Sequence, residues 1–191
     1  MARKIKSQPQ RNVIPTIIGA GITEQWYFTH LQKLLGCRIR VRPRFFGQED
    51  IFQISKKVES VIDDGGFAIV VFDADVANWD EKENAKLVSM CKKYANNSNV
   101  IICDSLPSIE YWFLLHFSDV HRLFQTSNSV KKELIKYLPG FDKSTNYLSN
   151  STWVNELCKD NKLQIAIQNA SKYEEGQSYT NIPKAFNKIL P

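Results

Sequence analysis

The sequence predicts an α/β protein: a mostly parallel sheet flanked by helices, with a helical C-terminal part. Three observations carry this. Short apolar runs alternate with amphipathic stretches up to Glu110. One of those runs, Phe67 to Phe72, is apolar at every position, the pattern of a strand buried on both faces of a parallel sheet. After Glu110 the strand signals stop and helical ones continue. The expected organisation is a core over residues 1–120 and a helical extension over 121–191 packed on it.

Val13 to Ile18 reads as the first strand, running into the turn Gly19-Ala20-Gly21. Pro15 has no N–H to give a central strand, so it belongs among the strand's first residues. Thr23 reads as a helix N-cap with Glu24 in the first turn, and the helix extends to about Leu35. Cys37 to Phe46 is the second strand. Asp50 to Asp64 is a helix whose Ile51, Ile54, Val58, Val61 and Ile62 share a face, ended by Gly65-Gly66. The run from Phe67 is the third strand and ends at Asp73-Ala74-Asp75. A helix over Asp80 to Asn96 and a buried strand over Asn99 to Cys103 complete the core. Helices then begin at Glu110, Ser129, Val154 and Pro183. Phe141 to Thr152 reads as a polar, mobile loop.

In such sheets ligands bind beyond the carboxyl ends of the strands. Gly19-Ala20-Gly21, Asp73-Ala74-Asp75 and Asp104 to Glu110 are all expected there, so topology alone brings three separated segments to one rim.

The formal net charge is +5 with a pI near 9.0, which permits nucleic-acid binding. One basic cluster is Arg3, Lys4, Lys6 and Arg11. In another, Arg38, Arg40, Arg42 and Arg44 alternate, so on a strand they share one face, opposite Ile39 and Val41. Such a row tracks phosphates, or it blunts an edge strand with charge. No apolar stretch approaches the roughly 20 residues of a membrane span. The basic, polar start lacks the apolar segment of a secretory signal, which makes the cytoplasm the expected compartment. Cys37, Cys91, Cys103 and Cys158 form no C-x-x-C pair and read as buried reduced thiols. His30, His116 and His121 have no metal-ligand spacing. His116, Trp112 and Phe113 read as packing residues.

Asp73 and Asp75 are the strongest chemical candidates. Two positions apart on an extended segment they point the same way, and paired carboxylates at a sheet mouth repel unless a cation lies between them. Oxygen ligands suit Mg²⁺ or Mn²⁺. Glu110 shares a helical face with Phe113, Leu114 and Phe117, where a carboxylate is costly unless paired or metal-bound. The plainer readings are a turn aspartate for the pair and a dipole-facing glutamate for Glu110.

Together these segments resemble the RloB-like family, a branch of the Toprim-fold proteins associated with bacterial restriction and phage-defence loci. Members show a strand ending in G-E-G-x-T-E followed by Y-F; here it reads Gly19-Ala20-Gly21-Ile22-Thr23-Glu24, then Tyr27-Phe28. They show an apolar strand ending in D-x-D, here Val70 to Asp75. They also show a segment like N-P-x-F-E-x-W-L-L-x-H-F, here Leu106 to Phe117. The resemblance implies a Toprim-like, metal-dependent nuclease acting on DNA or RNA in anti-phage defence. It implies Asp73, Asp75 and Glu110 as metal ligands, Glu24 as a further member of the catalytic set, and a partner ATPase from the same locus. It also implies a catalytic glutamate at position 20, where this chain has Ala20. A methyl group neither binds a metal nor moves a proton, so Ala20 is expected to inactivate an otherwise intact framework.

Two other classes compete. A non-catalytic nucleic-acid-binding or sensor subunit fits both Ala20 and the basic charge. A phosphohydrolase with Asp73 as nucleophile fits the D-x-D run, but no later acidic pair follows at a strand end.

Overall fold

The computed structural model describes residues 13–42, 51–75 and 81–190, the side chain of residue 83 excepted. The basic N-terminal cluster, Arg44 and the rest of the strand expected up to Phe46 lie outside the described residues, as does the loop after Asp75. The elements follow the order β1 (Pro15–Gly19), α1 (Ile22–Leu35), β2 (Arg40–Arg42), α2 (Ile51–Asp63), β3 (Phe67–Asp73), α3 (Glu81–Tyr94) and β4 (Val100–Leu106). Then come α4 (Ile109–Leu115), α5 (Ser127–Leu134), α6 (Thr145–Leu148), α7 (Thr152–Cys158), α8 (Lys162–Ala170), β5 (Tyr179–Thr180) and α9 (Pro183–Ile189).

The strands form one sheet in the order β2-β1-β3-β4-β5, parallel except for β5, which runs antiparallel to β4. This is the expected α/β architecture, mostly parallel and helical toward its C-terminus. Pro15 is the first residue of a central strand, where its missing N–H costs least. Gly65 takes a φ of 71° beyond the end of α2, a conformation that glycine adopts without steric penalty.

The period-two alternation of β3 sorts its side chains between two cores. Phe67, Ile69 and Val71 join one cluster with Tyr27, Phe28 and Leu31 of α1 and the apolar faces of α4, α5, α7, α8 and α9. Ala68, Val70 and Phe72 join the other, with Ile51, Ile54, Val58 and Val61 of α2 and Leu87, Met90 and Tyr94 of α3. The larger core centres on α4, whose seven residues are all buried. Trp112 donates from Nε1 to the Tyr27 hydroxyl at 2.8 Å, and Asn169 donates to the Leu115 carbonyl at 3.0 Å. His116 donates from Nδ1 to the Leu157 carbonyl at 2.6 Å. His116, Trp112 and Phe113 are thus packing residues, as expected.

Four expectations need correction. The N-cap of α1 is Gly21, not Thr23, which lies buried inside the first turn; starting the helix at Ile22 puts Glu24 at its third position, folded back on Gly21. The helix expected from Val154 to Lys172 is broken into α7 and α8 by a short 3₁₀ turn over Lys159–Asn161. Asp160 and Asn161 there have φ of 54° and 62°, a region short polar side chains tolerate better than most. The segment Phe141 to Thr152 is not a free loop. Phe141 and Leu148 are buried in the aromatic core, α6 forms between them, and His30 donates from Nε2 to the Leu148 carbonyl at 2.8 Å. Finally, Asp104 lies inside β4 rather than beyond it. All four cysteines are free; Cys37 and Cys103 are buried, Cys91 and Cys158 partly so. No helix among the described residues is long and apolar enough to cross a membrane.

Candidate functional site

The sheet order places the ends of β1, β3 and β4 side by side. Gly19 pairs with Val71, Ala20 donates its N–H to the Val71 carbonyl at 2.9 Å, and Asp73 pairs with Ser105. Asp73 is the last residue of β3, and its side chain continues the alternation toward the face covered by α1 and α4. There its Oδ1 accepts the backbone N–H of Ile109 at 2.8 Å, holding the start of α4 against the strand end. That contact sets the next residue, Glu110, beside Asp73.

Glu110 is fully buried, with 0% of its side chain exposed. Its Oε1 lies 2.7 Å from Nζ of Lys143, whose own side chain is 41% exposed. Its Oε2 is buried with no hydrogen-bond partner among the described residues. Glu24 reaches the same place from α1 and is buried at 3% exposure. It is packed so closely under the first turn that a Cβ on Gly21 would stand 2.4 Å from its Oε2. Gly21 is therefore required by the position of Glu24, since its backbone is ordinary extended chain.

The electrostatics confirm that these groups feel one another. Burial pushes the Asp73 carboxyl well above the usual carboxylate range, and the charges of Glu24 and Glu110 push it further. Asp75 is raised by burial and by Glu110, against the pull of Lys143. For Lys143, burial disfavours the charged form, but the ion pair with Glu110 and the fields of Asp73 and Glu24 outweigh it and hold its pKa above the ordinary lysine value.

Asp75 does not lie on the extended continuation of β3, as the spacing suggests. The chain turns after Asp73, and the Asp75 N–H donates to the Pro107 carbonyl at 3.3 Å. Its Oδ1 is buried and has no hydrogen-bond partner among the described residues. Ala20 stands on the same rim, but its methyl packs toward the α2–α3 core rather than toward Asp73. The first-motif carboxylate that reaches Asp73 is thus Glu24. Among the described residues no three His, Cys, Asp or Glu side chains are arranged to hold a metal ion as they stand. An ammonium, Lys143, stands among the carboxylates instead.

Of the arginine row, Arg40 and Arg42 lie on β2, the edge strand, with Arg38 just before it. Arg38 and Arg40 are exposed and Ile39 is buried, the expected alternation. Asp104 faces away from Asp73. Its carboxylate accepts from the Tyr179 hydroxyl and from Asn181 Nδ2, each at 2.7 Å, which fastens β5 to the sheet.

Sequence reasoning missed Lys143. The available signal was Phe141, an aromatic residue in a polar stretch, which anchors the chain two residues before the lysine.

No curated protein and no solved structure matches the chain. A family model described as RloB-like protein matches residues 16–189. That span runs from β1 to the last residue of α9 and includes every residue of the acidic rim, and the chain belongs to the RloB-like family.

Proposed function

We propose that the chain carries a divalent-metal-dependent nuclease centre of the Toprim-like, RloB-like type, acting on DNA or RNA in anti-phage defence and inactivated by Ala20. The observation that carries this reading is the convergence of carboxylates on the C-terminal rim of a parallel sheet: Glu24 and Glu110, both buried, with Asp73 and Asp75 half-buried beside them. One ammonium does not neutralise four carboxylates, and buried charge of one sign is costly. The donor set is oxygen only, which suits Mg²⁺ or Mn²⁺. Among the described residues Glu110 Oε2 and Asp75 Oδ1 are buried without a hydrogen-bond partner, which suits both as ligands.

In this reading Glu24, Asp73, Asp75 and Glu110 hold the ion. When bound, such an ion stabilises charge on the phosphoryl group and lowers the pKa of a coordinated water. Asp73 has a second task, because its bond to the Ile109 N–H orients Glu110. The resemblance implies a glutamate at position 20 as ligand or general base; its Cβ starts from the α2–α3 side of the rim, so that carboxylate has to reach across the strand ends to join Asp73. Arg38, Arg40 and Arg42 supply positive charge along the edge strand for a phosphate backbone. A partner ATPase from the same locus belongs to this reading through family context.

The test is a Mn²⁺-dependent cleavage assay on single- and double-stranded DNA and RNA. Ala20→Glu is expected to cleave, and adding Asp73→Asn to that variant is expected to abolish cleavage while leaving the fold intact. Failure of Ala20→Glu to cleave any of these substrates would sink the catalytic reading.

A second reading is a non-catalytic nucleic-acid-binding subunit of a defence complex. Ala20 itself favours it, as does the lack of a ready-made ligand triad among the described residues. Salt-sensitive binding without cleavage, persisting in Ala20→Glu, selects it.

A further inference from the structure

We infer that Lys143 is a resident counter-ion of the acidic centre, which a divalent cation must displace in order to bind. The inference rests on the metal-centre reading and adds to it a competition built into the chain. Lys143 Nζ stands 2.7 Å from an oxygen of Glu110, a carboxylate with no solvent exposure. Glu110 has no solvent to neutralise it, so the ammonium serves as its counter-charge, although neither Glu110 oxygen makes a hydrogen bond among the described residues. Yet the pair is incomplete on both sides. Glu110 Oε2 has no hydrogen-bond partner among the described residues, and the lysine side chain is 41% exposed, which leaves the ammonium a route back to solvent.

The segment that delivers Lys143 is anchored on either side of it. Phe141, at 2% exposure, packs against Phe113, Tyr147 and Trp153. Asp142 accepts from Lys131 Nζ and from the Ser144 N–H, both at 3.1 Å, and Ser144 caps α6. The backbone at position 143 is therefore fixed while the side chain, with four rotatable carbons, is not. Displacement needs only a rotamer change. A doubly charged ion that also engages Glu110 Oε2 and Asp75 Oδ1 offers the carboxylates more than one ammonium does, so the exchange runs downhill at sufficient metal concentration.

Two measurements test this on the full chain. In the first, amine labelling by reductive methylation is followed at Lys143 by mass spectrometry, in chelator and then in excess Mn²⁺. Labelling at Lys143 is expected to be slow in chelator and to accelerate with Mn²⁺, while Lys131 is unchanged. In the second, Mn²⁺ binding is measured by calorimetry on wild type, Lys143→Met and Lys143→Gln. Both variants are expected to bind about tenfold more tightly, the scale of a typical coupling between two competing ligands. If wild type binds Mn²⁺ but labelling of Lys143 stays constant or slows, Lys143 remains beside the ion and the competition is overturned while the metal centre stands. If neither wild type nor a folded variant binds Mn²⁺, the metal-centre reading itself fails and the competition falls with it. The labelling arm uses wild type, so it holds even if a variant does not fold.

Discussion

At the scale of single residues, the rim depends on small distances. Gly21 has φ −126° and ψ 169°, which any residue adopts, so its side chain is absent for space rather than for backbone freedom. The atom in the way of a Cβ is Glu24 Oε2, the far end of a flexible side chain. Gly21→Ala should therefore shift the carboxylate more than it harms the fold. The expected outcome is a stability change under about 1 kcal/mol in chelator, with Mn²⁺ affinity reduced by about tenfold, as when a group supporting a metal ligand is lost. Thermal melts and calorimetry on one preparation check both halves. The same residues show what could be read beforehand. Asp73, Asp75 and Glu110 were legible because each breaks a strong apolar pattern, where a carboxylate needs a reason. Lys143 itself breaks no pattern, and the one signal near it, the aromatic Phe141, does not say what the lysine meets; the fold shows it beside a buried glutamate.

At the scale of elements, α4 bears the most. It carries Glu110 at one end and His116 just past the other, and nothing along it reaches solvent. Burial drives the His116 pKa down to about 3, against the Nδ1–H bond to the Leu157 carbonyl, which favours the charged ring; the Lys162 charge adds to the fall, and Nε2 has no hydrogen-bond partner among the described residues. The folded state thus holds the ring neutral where the unfolded chain protonates it, below its ordinary value of about 6.5. Between those limits the unfolded state binds one more proton, so stability rises with pH. Full stability is present above the upper limit and declines as the pH falls toward the lower one, by about 1.4 kcal/mol for each unit of pH from this group. His116→Gln, which keeps a donor, is expected to flatten that part of the curve. Urea melts of both chains across the window measure it. Helix identity was largely legible, since the apolar period marked α2 and α4 in sequence. The break between α7 and α8 was not, because the period continues through Asp160 and Asn161 and only their left-handed backbone interrupts it.

At the scale of the whole molecule, the sheet is closed on one side by β5, too short to announce itself as a strand. It is held by the Ser105–Thr180 hydroxyl pair at 2.7 Å and by the clasp of Asp104 on Tyr179 and Asn181. The helix that follows buries Ala185, Phe186 and Ile189 against the larger core, preceded by Ile182. Each such large side chain contributes about 1.5–3 kcal/mol when buried, against a total stability of about 5–15 kcal/mol for a domain. A chain ending at Ala170 is therefore expected to lose cooperative unfolding, seen as a broad thermal transition by circular dichroism. A melt as sharp as that of the full chain would show that β5 and α9 are dispensable. The parallel sheet was legible from the Phe67 run, since only two-sided burial tolerates such a sequence. The clasp was not, because nothing near Asp104 in the sequence indicates a partner at Tyr179.

The order in which the rim is written along the chain has a consequence for synthesis. Glu24, Asp73, Asp75 and Glu110 all precede Lys143, and the helices α5 to α9 that shield α4 also follow Glu110 in the chain. A nascent polypeptide that has left the ribosome only as far as Leu115 carries every carboxylate, yet neither the lysine that tempers them nor the walls that desolvate them. The acidic quartet stays hydrated until translation has delivered its neighbours.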